Sequence, residues 1–402
     1  MQSTIFKRDY FTVGYYKAAE ARVVQSGNDY FETLEKLINS ATYSLQLQTY
    51  IFNEDNTGKR IAKVLTDAAA RGVEVSVVLD AFGSQSLSGK FIRELRAAGV
   101  HLRFFSPFFS LQNIYFGRRL HHKVVVADKS TALVGGINIA DKYHGSETEE
   151  PWLDYAILLK GRICEDIDTI CWKVYGIRDI QKKLKGYRFR KKKQSPAVQH
   201  EFGSVLVRIK RNDRLKKRNQ ISRSYLHAIR NARTSVYIIG SYFLPGLQLR
   251  SALINASKRG VEVHIIMAGI SDTPLFQMAT KWLYDMLFRY GIRIYEWKKS
   301  VLHGKIAVID TKWSTIGSFN LNHLSAYGSI EMNIDVLDEK FARDLKLHLK
   351  SIIDTGCEQI LPIHQNNHWS ARLKRWLAYQ ITRASIKFVV IFPNINPFKK
   401  FE

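Results

Sequence analysis

An internal repeat with a period of about 190 residues constrains the fold of this chain more than any other feature. Ala41-Thr42-Tyr43-Ser44-Leu45 resembles Ala232-Arg233-Thr234-Ser235-Val236. Arg71-Gly72-Val73-Glu74-Val75 returns as Arg259-Gly260-Val261-Glu262-Val263. Leu95-Arg96-Ala97-Ala98-Gly99-Val100 resembles Leu287-Phe288-Arg289-Tyr290-Gly291-Ile292. The period is too long for a solenoid, so the matches predict two homologous domains. Each copy alternates helix and strand. Phe31, Leu34, Leu37 and Ile38 form one helical stripe, and Ile61, Val64, Leu65 and Ala68 form the next, stopped by Gly72. Ser44 to Phe52 and the β-branched run Val73 to Leu79 read as strands. In the second copy Ile221, Tyr225, Ala228 and Ile229 give the opening stripe, followed by strands at Val236 to Phe243 and Val261 to Met267. This alternation predicts two α/β domains, at residues 25–180 and 201–360.

Each copy carries the same motif, His-x-Lys-x4-Asp-x6-Gly-x-x-Asn. The first instance uses His121, Lys123, Asp128, Gly135 and Asn138, and the second His303, Lys305, Asp310, Gly317 and Asn320. Val124 to Ala127 and Ile306 to Ile309 are β-rich, so each motif starts on a strand. Residues i and i+2 of a strand share a face, which points each His the same way as its Lys. A returning strand is expected to bring each Asn near its own His–Lys pair. Two such halves meeting face to face would make a site with two imidazoles and two ammonium groups. That set suits attack on a phosphodiester: one neutral His attacks phosphorus, and the other, protonated, serves the leaving alkoxide. Lys123, Lys305, Asn138 and Asn320 can stabilise charge on the non-bridging oxygens. The expectation is chemistry with no metal and no cofactor.

These motifs resemble the signature of the phospholipase D superfamily, and the duplication resembles its two-copy members. The resemblance covers most of residues 25–360. It implies two phospholipase D-like α/β sandwich domains with the active site at their interface. It carries over His121, Lys123, Asp128, His303, Lys305 and Asp310 as the catalytic set and implies a phosphohistidine intermediate. His121 would be the nucleophile and His303 the acid/base, although the near symmetry of the pair leaves the reverse order open. The two Asp would help fix local geometry. Family members also place a carboxylate downstream of each His to orient it. Here Trp152-Leu153-Asp154 follows His121, and Ser329-Ile330-Glu331 follows His303, so Asp154 and Glu331 take that role. The first copy has Gly136 where the second has the commoner Ser318. His122 falls on the opposite strand face and reads as structural. The flanks Val134 to Asp141 and Trp152 to Ala156 are similar to bacterial cardiolipin synthases of the B type. That similarity implies transfer of a phosphatidyl group between phosphatidylglycerol molecules, giving cardiolipin and glycerol. The alternatives are a phospholipase D hydrolase or a metal-independent nuclease of the same superfamily.

Charge bears on that choice. The 402 residues hold 61 Lys plus Arg against 36 Asp plus Glu, a formal net charge of +25. Such a surplus implies an anionic partner. Between the copies, at 181–200, lies a basic linker in which Tyr187 and Phe189 interleave with Lys182 to Lys193 and favour surface binding. In the tail, 361–402, Leu373, Trp376, Leu377, Ile381 and Ala384 share one helical face, and Arg372, Lys374, Arg375, Arg383 and Lys387 decorate the rest. A basic amphipathic helix with Trp predicts interfacial membrane attachment and weighs for lipid over nucleic acid. The expected partners are anionic phospholipid, phosphatidylglycerol, and the membrane surface. Met1 to Gly14 lacks the apolar stretch of a signal peptide, and no segment is apolar enough to span. Cys164 and Cys171 fall in a helical pattern as core residues, and the sparse cysteines suggest a reducing compartment. Together these point to a peripheral location on the cytoplasmic face of the cell membrane. Nothing in the sequence sets an oligomeric state.

Overall fold

The computed structural model describes residues 14–106, 109–110, 113–115, 119–176, 205–213, 218–322, 329–362, 368–391 and 394–395. The linker expected at 181–200 and nearly all of the N-terminal segment lie outside them.

The first half contains β1 (Glu20–Gln25), α1 (Asn28–Ser40), β2 (Ser44–Thr49), α2 (Asn56–Ala70), β3 (Glu74–Asp80), α3 (Gly89–Ala97), β4 (His101–Phe105), β5 (Lys123–Ala127), β6 (Thr131–Gly135), β7 (Tyr155–Lys160) and α4 (Ile163–Tyr175). Its sheet runs β1-β7-β6-β5-β2-β3-β4. Strands β2, β3 and β4 are parallel, and the others pair antiparallel.

The second half repeats this plan with β8 (Val205–Asp213), α5 (Gln220–Arg230), β9 (Ser235–Gly240), α6 (Leu247–Lys258), β10 (Glu262–Ile270), α7 (Pro274–Lys281), β11 (Arg293–Val301), β12 (Lys305–Ile309), β13 (Trp313–Gly317), β14 (Ser329–Leu337) and α8 (Glu339–Gly356). The order β8-β14-β13-β12-β9-β10-β11 matches the first sheet strand for strand. The duplicated α/β fold read from the sequence is therefore present. Strand Tyr16–Ala18 pairs not with the first sheet but with β8, so the start of the described chain laces the two halves together.

Local chemistry explains the elements. Asp55 caps α2 by accepting from the Gly58 amide. Gly72 and Gly260 follow the equivalent helices at φ +87°, a conformation that L side chains avoid, and so end both helices alike. Strand β3 reads as a nearly continuous apolar run because both faces are covered. Helices α1 to α3 cover the outer face of one sheet, and α5 and α6 that of the other. The inner faces turn toward each other and share one core with α4 and α8, in which Val124, Tyr155 and Cys171 meet Ile306, Ile316 and Met332. Cys164 and Cys171 are buried there, as their pattern predicts. One apolar core serving both halves makes their interface rigid, which a two-part site requires.

Candidate active site

Both motifs lie where the halves meet. Residues Arg119–Leu120 pair in parallel with Ser329–Ile330, and Leu153 bridges Leu302 in the same sense. The His121 amide donates to the Ile330 carbonyl at 3.0 Å, and the His303 amide donates to the Leu153 carbonyl at 2.8 Å. Each His is thus held against the other half, one residue away from that half's carboxylate.

The carboxylate pairing is consequently crossed. His121 Nδ1 lies 3.0 Å from the Glu331 carboxylate, and His303 Nδ1 lies 2.5 Å from Asp154 Oδ2. Reading downstream along the chain had paired Asp154 with His121 and Glu331 with His303. The distances replace that within-half pairing. Both carboxylates are fully buried. With Nδ1–H donating to a carboxylate, the lone pair of the neutral imidazole resides on Nε2, the atom left to react.

The two lysines close the set. Lys123 Nζ donates to the His121 carbonyl at 2.6 Å. Lys305 Nζ lies 3.5 Å from Asp154 Oδ2 and also donates to the His303 carbonyl. Burial, reinforced by Lys305, pulls Lys123 down to about 7. Lys305 is also lowered by burial, against the pull of Asp154 and Glu331. Burial lowers both imidazoles, with Lys305 adding to the effect on His303 and Lys123 on His121. Burial acts to raise Asp154, but Lys305 and His303 outweigh it and hold the carboxylate below its usual range. The buried lysines and imidazoles therefore hold less positive charge than they would in water. An entering phosphodiester anion would favour the charged form of each.

The family model described as "Cardiolipin synthase, PLD-like domain" matches residues 34–156 and 225–353, one copy in each half. Cardiolipin synthase B from Escherichia coli strain K12 is 33% identical over 342 residues, covering 84% of this chain and 81% of that protein. A cardiolipin synthase from Geobacillus sp. strain WCH70 is 30% identical over 320 residues, covering 79% of this chain and 62% of that one. The chain belongs to the cardiolipin synthase family of PLD-like domain proteins. The fold is shared with phosphatidylserine synthase from Haemophilus influenzae Rd KW20 at TM-score 0.70 and 13% identity, covering 94% of this chain and 97% of that one.

Within this cardiolipin synthase-family site, the remaining motif residues separate by position. Asp128 and Asp310 follow strands β5 and β12 at the end opposite the His, at φ 50° and 54°. The Asp128 carboxylate accepts from the backbone N–H groups of Thr42, Tyr43 and Ser44, and Asp310 accepts from those of Arg233, Thr234 and Ser235. They fasten the motif strand to the start of its neighbour, the geometric role also expected of them. Asp128→Ala should cost about 2 kcal/mol of stability by leaving those amides unpaired, as read by chemical denaturation, while the folded fraction keeps its kcat.

The two Asn also differ. Asn138 is spent on the fold: its Oδ1 accepts from the Ile51 amide at 3.0 Å and its Nδ2 donates to the Tyr143 hydroxyl at 2.7 Å. Asn320 is buried with its Oδ1 unpaired. The Gly136–Ser318 difference follows from the carboxylates. Ser318 Oγ donates to Glu331 Oε2 at 2.5 Å. A Cβ on Gly136 would stand 2.4 Å from Asp154 Oδ1. The Asp154 carboxylate occupies the space a side chain would need. Gly136→Ser should displace Asp154 from His303 and lower kcat by about 10²-fold with little change in KM, as measured by steady-state kinetics. His122 is buried with Nε2 2.8 Å from Gln48 Oε1, a structural position.

Aromatic walls were not singled out by the sequence reading. Tyr143 meets the His303 ring edge-on at 5.5 Å, Trp152 lies 6.1 Å from it, and Tyr50 lies 5.2 Å from His121. Lys142 Nζ sits 4.1 Å over the Trp152 ring. Trp152 and Tyr155 flank Asp154 in the sequence, and that flank was the available signal.

Proposed function

We propose that this protein is a cardiolipin synthase that moves a phosphatidyl group from one phosphatidylglycerol to another. The observation that carries the reading is the pair of imidazoles, each with Nδ1 tied to a buried carboxylate and Nε2 left to react. His121 Nε2 attacks the phosphorus of the first phosphatidylglycerol. The bond from phosphorus to the headgroup glycerol oxygen breaks. His303, protonated as the anion enters, gives its Nε2 proton to that oxygen, and glycerol leaves. The phosphatidyl group then rests on His121. His303, now neutral, takes the proton from the terminal hydroxyl of a second phosphatidylglycerol. That oxygen attacks phosphorus, the P–N bond breaks and cardiolipin forms. Lys123 and Lys305 stabilise the charge on the non-bridging oxygens in both steps, and the Asn320 amide assists them. Asp154 and Glu331 hold the imidazole tautomers.

The protein meets this substrate at a membrane surface. Among the described residues no helix is long and apolar enough to cross a membrane. The net charge of +25 suits anionic lipid on the cytoplasmic face.

Product analysis tests the activity. Purified protein given labelled phosphatidylglycerol vesicles should release glycerol and cardiolipin in equal amounts. Phosphatidic acid alone would make it a hydrolase, and cleavage of plasmid DNA without lipid turnover would refute the lipid reading. A pH profile tests the lysines. Lys123 loses its charge as pH rises through about 7 in the free protein, because burial and then Lys305 lower it. The charged form binds phosphate, so kcat/KM should fall above that pH by about tenfold per unit at most. A profile flat from about pH 6 to 9 would contradict this assignment.

A further inference from the structure

The C-terminal helix α9 (Trp369–Ile391) does two things at once. Ala378, Tyr379 and Thr382 are buried, and the helix packs along α7. The face read from the sequence as amphipathic remains open: Leu373, Trp376, Leu377 and Ile381 are exposed, and Trp369 is 71% exposed. Helix α7 adds Leu275 and Met278, both exposed. Two adjoining helices thus leave apolar stripes in water, which soluble surfaces seldom do without a partner.

Two further facts identify the partner. The first is charge. Helix α9 carries Arg372, Lys374, Arg375, Arg383 and Lys387 and no acidic residue, and α7 contributes only Lys281. An apolar stripe with Trp, set among cations alone, matches the interface of an anionic bilayer. A second protein surface would need its own acidic rim. The second fact is position. Strand β10 runs into α7, and its parallel neighbour β9 ends at Gly240, paired with Lys305. Helix α7 therefore leaves the sheet at the catalytic end. The Gln277 side chain ties it there by donating to the Ala268 and Gly269 carbonyls. The Phe276 ring is 5.3 Å from that of Tyr242, whose hydroxyl is 2.6 Å from Asp272 Oδ1 and whose ring lies 6.1 Å from His303. One chain of contacts joins His303, Tyr242, α7 and α9.

We propose that α7 and α9 form a single docking platform for an anionic lipid bilayer, and that it seats the His303 side of the active site on the membrane. A diacyl lipid then reaches the site from the interface without entering bulk water. The proposal deepens the membrane reading above by naming a surface composed of both helices, where the sequence pointed to the tail alone.

Vesicle flotation of the full chain tests it, with phosphatidylglycerol in phosphatidylcholine as the probe. Met278→Asp and Leu377→Asp alter exposed positions, so both should melt near the wild-type temperature. Each should weaken binding roughly tenfold or more and raise the apparent KM on vesicles by a similar factor. Turnover of detergent-dispersed phosphatidylglycerol should keep its kcat. Wild-type binding by Met278→Asp would overturn the composite platform. Equal wild-type binding to pure phosphatidylcholine vesicles would overturn the anionic partner. A wild-type dimer that dissociates in either variant would make the surface a subunit interface instead. Wild-type protein that binds vesicles but forms no cardiolipin would sink the activity reading and leave the platform standing.

Discussion

His121→Ala and His303→Ala should each lower cardiolipin formation by about 10⁴-fold or more, because the two imidazoles act in sequence on one phosphorus. Neither can be replaced by water at the same rate: one forms the P–N bond, and the other supplies and removes the proton. The losses should be far from additive, with the double variant little worse than either single one. The two variants also differ in kind. With His121 as nucleophile, His303→Ala retains the atom that forms the covalent bond and lacks the group that serves both its formation and its clearance, so it can label slowly, whereas His121→Ala cannot label at all. After long incubation with phosphatidylglycerol labelled in its phosphatidyl part and an alkaline denaturing quench, which preserves a P–N bond, label should be found on His303→Ala and none on His121→Ala. Label in the opposite variant would reverse the roles of the two His. Full turnover by either variant would end the two-imidazole mechanism.

The second large effect comes from the crossed carboxylates. Asp154→Asn and Glu331→Gln should each reduce kcat by between about 10² and 10⁴-fold, since an amide can hold the wrong imidazole tautomer with the proton on Nε2. The crossing gives this prediction its particular form. Asp154 lies in the first half, yet its substitution should perturb His303 in the second. Proton NMR on protein with labelled histidine resolves the Nδ1–H signals directly. The downfield resonance missing in Asp154→Asn should be the one missing in His303→Ala, and Glu331→Gln should match His121→Ala. A match within each half would refute the pairing. Conservative Asp154→Glu should not rescue, because Gly136 approaches Asp154 so closely that the longer side chain has no room.

The tail shows the reach and the limit of periodicity. Spacing placed Leu373, Trp376, Leu377 and Ile381 on one face of a helix, and they do share one. Periodicity alone leaves two outcomes open, a face packed on the protein and a face open to a membrane. The helix packs through another face and leaves this one exposed. Ala378, Tyr379 and Thr382, interleaved with the stripe, make the tertiary contact. Their small or amphipathic side chains give no apolar signal in a window average.

The opening repeat determined the most. Two matching stretches of chain must fold alike, so duplicated motifs, the alternation of helix and strand and the shared face of His and Lys at i and i+2 were all legible from spacing. The carboxylates Asp154 and Glu331 were legible as candidates. Tertiary structure alone decided which His each one serves. The parallel bridges Leu120 to Ile330 and Leu153 to Leu302 join residues far apart in sequence, and spacing carries no information about such pairings. It likewise decided that Asn138 is spent on the fold while Asn320 is not, and why one half needs Gly136 where the other has Ser318. Each answer depends on which side chain from elsewhere in the chain fills the adjoining space, and close packing settles that only in three dimensions.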